Sequence, residues 1–140
     1  MKPVMTFLKY LWPSPYTFLG LLIGSVGVLT GGKMRIRDGV FECWGGFTTF
    51  LVACLPPGFG DVLAATIGHV VIGQSEAAID FTREHERVHV RQFERWGMIF
   101  LPVYLTASLI AWWQGKRPYR DNVFEAEAYA VKKNVSQNPE

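Results

Sequence analysis

Residues 85–89 read His-Glu-Arg-Val-His, and these side chains have the types and the spacing of a metal site. Positions four apart on a helix share a face, so His85 and His89 would present two imidazoles to one point. Zinc accepts imidazole nitrogen and prefers a tetrahedral shell, half of which two histidines supply. Glu86 is next to the first ligand, where its carboxylate would act as general base toward a zinc-activated water. The pattern predicts a hydrolytic metal centre.

The residues around this motif predict the helix that it needs. Ser75 or Thr82 would cap the start of the helix, and Gly97 would end it after Trp96. A stripe at three- and four-residue spacing would face the core, and it comprises Phe81, His85, Val88, His89, Gln92 and Trp96. A buried polar group without a partner costs about 1–3 kcal/mol, so a metal shared by both histidines is favoured over two separately hydrogen-bonded core histidines.

A third protein ligand must come from elsewhere, and the residues leave several candidates. Glu94 is on the same predicted helix but off the histidine face. No histidine follows His89, so a three-histidine site would require His69. The acids further along the chain are Asp121, Glu125, Glu127 and Glu140. A last helix, predicted from about residue 123 to 133, would hold Glu125 and Glu127 about 200° apart, so only one of them can face the histidines.

The surroundings of these two glutamates favour Glu125. Phe124, Ala128 and Val131 would form an apolar face with Glu125 beside it, whereas Glu127 would lie nearer the side of Ala130. The opposing observation is that residues 122–125 fit a capping box, in which Glu125 would fold back on the backbone of its own helix. A carboxylate used in that way would not reach a metal, and Glu127 or Asp121 would then be the alternatives.

The overall composition restricts the class of protein. The chain has 140 residues, enough for one domain, and its 49% hydrophobic and 19% charged residues exclude a disordered chain. A net charge of +2 is too small for an electrostatic nucleic-acid binder, so we expect no nucleic-acid partner. Cys43 and Cys54 cannot form a disulfide scaffold or a four-cysteine zinc site, and we expect both to be small buried hydrophobes.

The β-rich part of the chain lies between residues 33 and 74. Asp38-Gly39 separates two alternating runs, 33–37 and 40–44, and this arrangement is the strongest short signal of a β-hairpin. Residues 65–73 read as one further strand that carries His69, which we expect to be a half-buried structural residue. Pro56-Pro57-Gly58 would break the element that spans residues 47–55. We therefore predict an α+β domain with a hairpin or short sheet and three to four helices.

Two uncharged stretches, Tyr16–Gly31 and Met98–Trp113, suggest membrane association. Residues 1–31 are an apolar N-terminal segment and a possible membrane anchor, with a cleavable signal as another interpretation. Trp112-Trp113 followed by Lys116 and Arg117 is typical of an interfacial aromatic and basic edge. Each stretch would extend about 24 Å as a helix, short of a bilayer core of about 30 Å. The alternative is a cytoplasmic protein in which both helices cover each other and the sheet.

These motifs resemble the gluzincin branch of the zincin metallopeptidases. HERVHVRQFERWG, then an apolar helix, then PYRDNVFEAEAY is similar to small bacterial minimal-gluzincin proteins, and the resemblance covers residues of about 62–133. It implies a minimal zincin-like domain over residues 32–140, with zinc held by His85, His89 and a glutamate in an E-x-x-A context. That context matches Glu125. The resemblance also implies a peptide or protein substrate that pairs with the strand at residues 65–73.

Three further residues flank the expected third ligand and would touch substrate or the transition state: Tyr119, Arg120 and Tyr129. Many membrane-linked gluzincins have an aspartate where this chain has Tyr129, an acid that would orient a ligating imidazole. The function that we expect is zinc-dependent hydrolysis of a peptide bond. The alternative is a membrane-associated structural or interaction protein whose metal site has no catalytic role.

Overall fold

The chain forms the predicted α+β fold, and the computed structural model describes residues 2–55 and 62–137. Its helices are α1 (Lys2–Leu11), α2 (Ser14–Leu29), α3 (Gly46–Ala53), α4 (Glu76–Trp96), α5 (Phe100–Trp113) and α6 (Val123–Gln137). Its strands are β1 (Lys33–Arg37), β2 (Val40–Trp44), β3 (Ala64–Ile67) and β4 (Val70–Gly73). A 3₁₀ turn, Gly97–Ile99, joins α4 to α5. The predicted break at residues 56–58 lies outside the described residues.

The predicted hairpin is confirmed. β1 and β2 pair antiparallel, with Arg37 opposite Val40. The two residues between them, Asp38 and Gly39, have φ angles of 52° and 75°. Positive φ at both central positions is what a type I′ turn requires, and an Asp-Gly pair tolerates it well.

The prediction of one strand over residues 65–73 is wrong, because the chain reverses at Gly68-His69. Gly68 has φ of +62°, which the first central position of a type II′ turn needs, and β3 pairs antiparallel with β4. The sheet has the order β1-β2-β4-β3, with β2 and β4 parallel. β3 is therefore an edge strand. His69 is in the turn and is only 1% exposed.

Helix α2 packs directly on the sheet through small residues. Gly20, Gly24 and Gly27 are its buried positions. A Cβ added at Gly20 would lie 2.7 Å from Val70 Cβ, and one at Gly24 would lie 2.7 Å from Cys43 Sγ. The glycines thus allow a close approach that larger residues would prevent. Cys43 is buried as predicted, whereas Cys54 follows the last residue of α3 and is exposed, so the prediction for Cys54 is wrong.

Helix α4 begins after Ser75, which is one of the two predicted caps, ends before Gly97 as predicted, and carries the predicted motif. The Ser75 side chain accepts a hydrogen bond from the backbone N–H of Ala78, and Gly97 caps the other end with φ of 57°. His85, Glu86 and His89 are all buried along this helix. Phe81 departs from the predicted core stripe: it is 65% exposed, and Lys132 Nζ lies 3.6 Å from its ring centroid.

An aromatic cluster holds the last two helices against α4. Phe93 of α4 contacts Phe100 of α5 with ring centroids 4.5 Å apart, and Phe100 contacts Phe124 of α6 at 5.2 Å. All three rings are buried, and edge-to-face packing of this kind adds to the stabilisation by burial. Because Phe124 is anchored here, the next residue, Glu125, is placed beside α4.

Candidate metal centre

The start of α6 sets the direction of the Glu125 side chain. Asn122 Oδ1 accepts a hydrogen bond from the Phe124 N–H at 2.9 Å and so caps the helix. Asn122 Nδ2 donates to the Tyr104 carbonyl at 3.0 Å and to Ser108 Oγ at 2.8 Å, which ties the cap to α5. The Glu125 carboxylate points to the histidines of α4 instead of completing a capping box.

Three side chains from two helices converge on one point. Glu125 Oε2 is 3.0 Å from His85 Nε2, and Glu125 Oε1 is 3.2 Å from His89 Nε2. The two Nε2 atoms are 3.1 Å apart. All three residues are buried. The structure thus brings together the three ligands that the sequence and the resemblance suggest.

These distances fit a tetrahedral metal ion. Bonds of about 2.0–2.1 Å at tetrahedral angles would place neighbouring ligand atoms about 3.3 Å apart. The observed separations of 3.0, 3.1 and 3.2 Å are close to this value. Two imidazoles and one carboxylate also leave a fourth position, the arrangement of a catalytic rather than a closed structural site. His85, His89 and Glu125 could therefore hold a metal ion.

The electrostatics of the group are those of a coupled ion pair. Burial disfavours protonation of His89, but the hydrogen bond and charge of Glu125, together with the charge of Glu86, raise its pKa to about 9. Burial also opposes the charged form of Glu125, yet its hydrogen bonds with His85 and His89 lower its pKa to about 2. In the metal-free protein at neutral pH, an imidazolium therefore lies against a carboxylate, with the proton in the place that a metal ion would take.

Gln92 and Tyr104 contact the candidate metal ligands, and the sequence did not predict these contacts. Gln92 Oε1 is 2.8 Å from His89 Nδ1, and Gln92 Nε2 donates to the Phe124 carbonyl at 3.0 Å. Since that amide orientation requires His89 Nδ1 to donate, His89 Nε2 is directed at the metal position. Tyr104 OH donates to Glu125 Oε1 at 2.6 Å. The three-residue spacing between His89 and Gln92 could have indicated their contact, since such residues share a helix face. No local pattern could have indicated Tyr104, because it lies on another helix.

His85 has a different environment from His89. The Tyr129 ring packs against the His85 ring with centroids 4.5 Å apart. Within the described part of the chain, His85 Nδ1 is buried and has no hydrogen-bond partner. Tyr129 stands where many membrane-linked gluzincins have an aspartate. It gives His85 an aromatic contact instead of a carboxylate that would accept a hydrogen bond.

Glu86 is held by the edge strand. It is buried, and Thr66 Oγ1 of β3 donates to its Oε2 at 2.6 Å. Both Glu86 and Thr66 line a cleft of ≈ 270 Å³ between β3 and α5, along with His89 and Glu125. The proposed base, two of the candidate metal ligands and the edge of the sheet thus meet in one cavity.

The three predicted substrate contacts have different positions. Tyr119 lines the cleft, and burial and the charge of Glu125 raise the pKa of its hydroxyl above the usual range. Tyr129 packs on the ring of His85. Arg120 is exposed and lies over the Tyr129 ring, 4.8 Å from its centroid. Of the three, Tyr119 faces the cleft between β3 and α5, and Tyr119 and Tyr129 both line a second cavity that contains His85 and Glu86.

The other candidate ligands among the described residues are engaged elsewhere, and Glu140 lies outside those residues. His69 Nε2 is 3.1 Å from Glu94 Oε1, and the ring of Tyr10 stacks on the imidazole. Glu127 Oε2 accepts a hydrogen bond from Gln92 Nε2 at 3.0 Å. Asp121 forms an ion pair with Arg117 at 3.0 Å. His69, Glu127 and Asp121 are therefore not members of the group formed by His85, His89 and Glu125.

Comparison of the chain with protein-family models, with curated proteins and with solved structures finds no match. The resemblance to gluzincins remains a prediction from the motifs. The functional interpretation therefore depends on the geometry and chemistry of this site.

Proposed function

We propose that the protein is a zinc-dependent hydrolase of peptide bonds. The observation that carries this proposal is the convergence of His85, His89 and Glu125 at tetrahedral ligand spacing beside the carboxylate of Glu86. Two imidazoles and one carboxylate are a ligand set used by catalytic zinc. A bound zinc ion would polarise a carbonyl group and make water nucleophilic at neutral pH.

The side chains of the cleft have distinct roles in this proposal. Glu86 accepts a proton from the attacking water and returns it to the leaving amine, while Thr66 holds its Oε2 in place. Tyr119 stays protonated, because its pKa is raised, and donates a hydrogen bond to the negative oxygen that develops on the substrate. Tyr104 and Gln92 keep Glu125 and His89 in position.

A peptide substrate suits the position of β3. This strand is at the edge of the sheet and carries Thr66, which contacts the proposed base. An extended peptide could pair with the outer edge of β3 through main-chain hydrogen bonds. Its scissile bond would then lie in the cleft beside Glu86.

The test combines metal content with hydrolysis. We expect the purified wild type to contain one zinc ion per chain by mass spectrometry and to cleave peptides in a quenched-fluorescent library. His85→Ala should lose the zinc. Glu86→Gln should keep the zinc but lower the rate by about 100-fold or more, since general base catalysis contributes about that much.

Glu84→Gln is the matched control, because Glu84 is an exposed glutamate on the same helix. We expect it to have wild-type zinc content and activity. A wild type without zinc would contradict the proposal. Stoichiometric zinc with no cleavage would instead favour a structural or interaction protein with a non-catalytic metal site. Equal cleavage by the wild type and Glu86→Gln would contradict the role of Glu86 as general base.

A further inference from the structure

Helix α5 exposes an apolar face that the rest of the described chain leaves uncovered. Phe100 and Ala111 are the buried positions of α5. Exposed apolar residues continue from the preceding turn along the helix; we call them the α5 face, and they are Met98, Ile99, Leu101, Leu105, Leu109 and Trp113. The last four follow one another at four-residue spacing, and their exposed fraction increases from 40% at Leu101 to 84% at Trp113. An apolar surface of this extent marks an interaction site.

The border of this face has the composition of a membrane interface. Trp112 and Trp113 end α5, and Lys116 and Arg117 follow at once. At the other end, Trp12 is half-exposed, and a Cβ at Gly97 would overlap its indole ring. Tryptophan beside lysine and arginine is enriched where the headgroups of a bilayer meet water, and basic side chains attract anionic lipids.

The helices include stretches that are apolar enough for a membrane, but α5 by itself is short. The helical run Glu76–Trp113 is long and apolar enough to span a bilayer by length and composition, and only 17% of its most apolar stretch is buried. Helices α1 and α2, which meet at a bend of 60°, are together long and apolar enough as well. The core helix of a soluble protein can have the same length and apolar composition, although such a helix is mostly buried. The 14 residues of α5 extend only about 21 Å, less than a hydrocarbon core of about 30 Å. This length suits a helix that lies in the interface.

The α5 face continues into the cleft of the candidate metal centre. Leu101 and Leu105 line the cleft with Glu86 and Glu125, and Leu55 lines it from the end of α3. All three leucines are exposed. A chain segment on the α5 face would therefore reach the site along a continuous apolar surface.

We propose that a lipid bilayer covers the α5 face and that the substrates are apolar peptide segments which enter the cleft from the bilayer. The second part rests on the proposed function. The first part depends only on the exposed side chains of α5 and their aromatic and basic border.

Vesicle flotation with the full chain tests the lipid contact. We expect the wild type to float with vesicles of phosphatidylcholine and phosphatidylglycerol. Leu109→Glu should reduce its partitioning about tenfold or more, because a carboxylate is costly to place among acyl chains. Ile36→Glu is the matched control: Ile36 is similarly exposed, 66% against 62% for Leu109, and lies on β1 at the opposite edge of the sheet from β3. It should float like the wild type.

Two results would overturn the lipid contact. One is a wild type that stays out of the vesicle fraction. The other is a wild-type dimer that Leu109→Glu converts to a monomer without any change in flotation, which would assign the face to a second copy of the chain. Leu109 is outside the cleft lining, so the hydrolytic site stays intact in the variant.

The substrate is tested with two probes, a leucine–alanine peptide inserted in the vesicles and a short polar peptide in solution. We expect the wild type to cleave the inserted peptide. The rate should be about tenfold or more lower for Leu109→Glu and about 100-fold or more lower for Glu86→Gln. The polar peptide should be cleaved equally by the wild type and Leu109→Glu. If the polar peptide is cleaved faster than the inserted peptide, and Leu109→Glu changes neither rate, the proposed substrate class is wrong. The proposed hydrolytic activity would still hold. Flotation without cleavage of either probe would overturn hydrolysis and the substrate class but leave the lipid contact.

Discussion

Gln92 Oε1 lies 2.8 Å from His89 Nδ1, and the same amide donates through Nε2 to the backbone of α6. One side chain thus sets the tautomer of a candidate ligand and links the two helices that supply the ligands. Residues that orient a ligating histidine typically change metal affinity by about 10–100-fold when they are replaced.

Replacement of Gln92 should therefore weaken metal binding without preventing folding. We expect Gln92→Met to lower zinc affinity about 10–100-fold in a competition titration with a chelating dye. Gln74→Met is the control, because Gln74 Nε2 likewise donates to a backbone carbonyl, that of Val62 at 2.8 Å. Equal affinities for the two variants would show that Gln92 does not position His89.

Replacing each glutamate of α6 by glutamine should have different effects on zinc affinity. Glu125 is 2% exposed and lies within 3.3 Å of both imidazoles, whereas Glu127 is exposed and bonds to Gln92. Glu125→Gln should lower zinc affinity by more than about 100-fold, since it removes a ligand rather than a supporting group. Glu127→Gln should change it by less than about tenfold. The reverse order in the same titration would assign the third ligand to Glu127.

Metal binding should release a proton at neutral pH. His89, with a pKa of about 9, is protonated in the metal-free protein, and its Nε2 must lose that proton to bind a metal. As pH falls below about 9, the protonated fraction increases and the apparent affinity should fall about tenfold per pH unit. Calorimetry in buffers of different ionisation enthalpy measures the released protons. A value near zero at neutral pH would mean that the proton is absent from this pair.

Gly97 should be sensitive to alanine for a reason beyond its backbone angle. Gly97 and Gly115 both have positive φ, 57° and 75°, but their surroundings differ. A Cβ at Gly97 would overlap the Trp12 ring, whereas no atom of the described residues would lie within 4 Å of a Cβ at Gly115. We expect Gly115→Ala to lower the free energy of unfolding by about 1 kcal/mol in urea, and Gly97→Ala by at least about 2 kcal/mol more. Trp12→Ala should remove most of this difference. Equal effects in the wild-type background would place the Trp12 ring away from Gly97.

Local patterns were sufficient for several features of the fold. The Asp-Gly pair predicted the β1–β2 hairpin, because only a few residues tolerate two successive positive φ angles. Gly97 predicted the end of α4 and Ser75 was one of two candidates for its start, because helix caps are satisfied by neighbours in sequence. The same local rule placed His85 and His89 on one face, since their distance depends only on the helical repeat.

The sequence by itself thus determined the hairpin, the motif helix and the pair of imidazoles. It left Glu125, Glu127 and a capping role for Glu125 as open alternatives, since the rotation of α6 depends on contacts from Asn122 to α5. Only the tertiary structure decided that the Glu125 carboxylate turns to the histidines, and that Tyr104 bonds to it. The tertiary structure also decided that the α5 face stays exposed. Whether an apolar helix is covered depends on which elements pack beside it. The periodicity of one chain segment carries no information about those neighbouring elements.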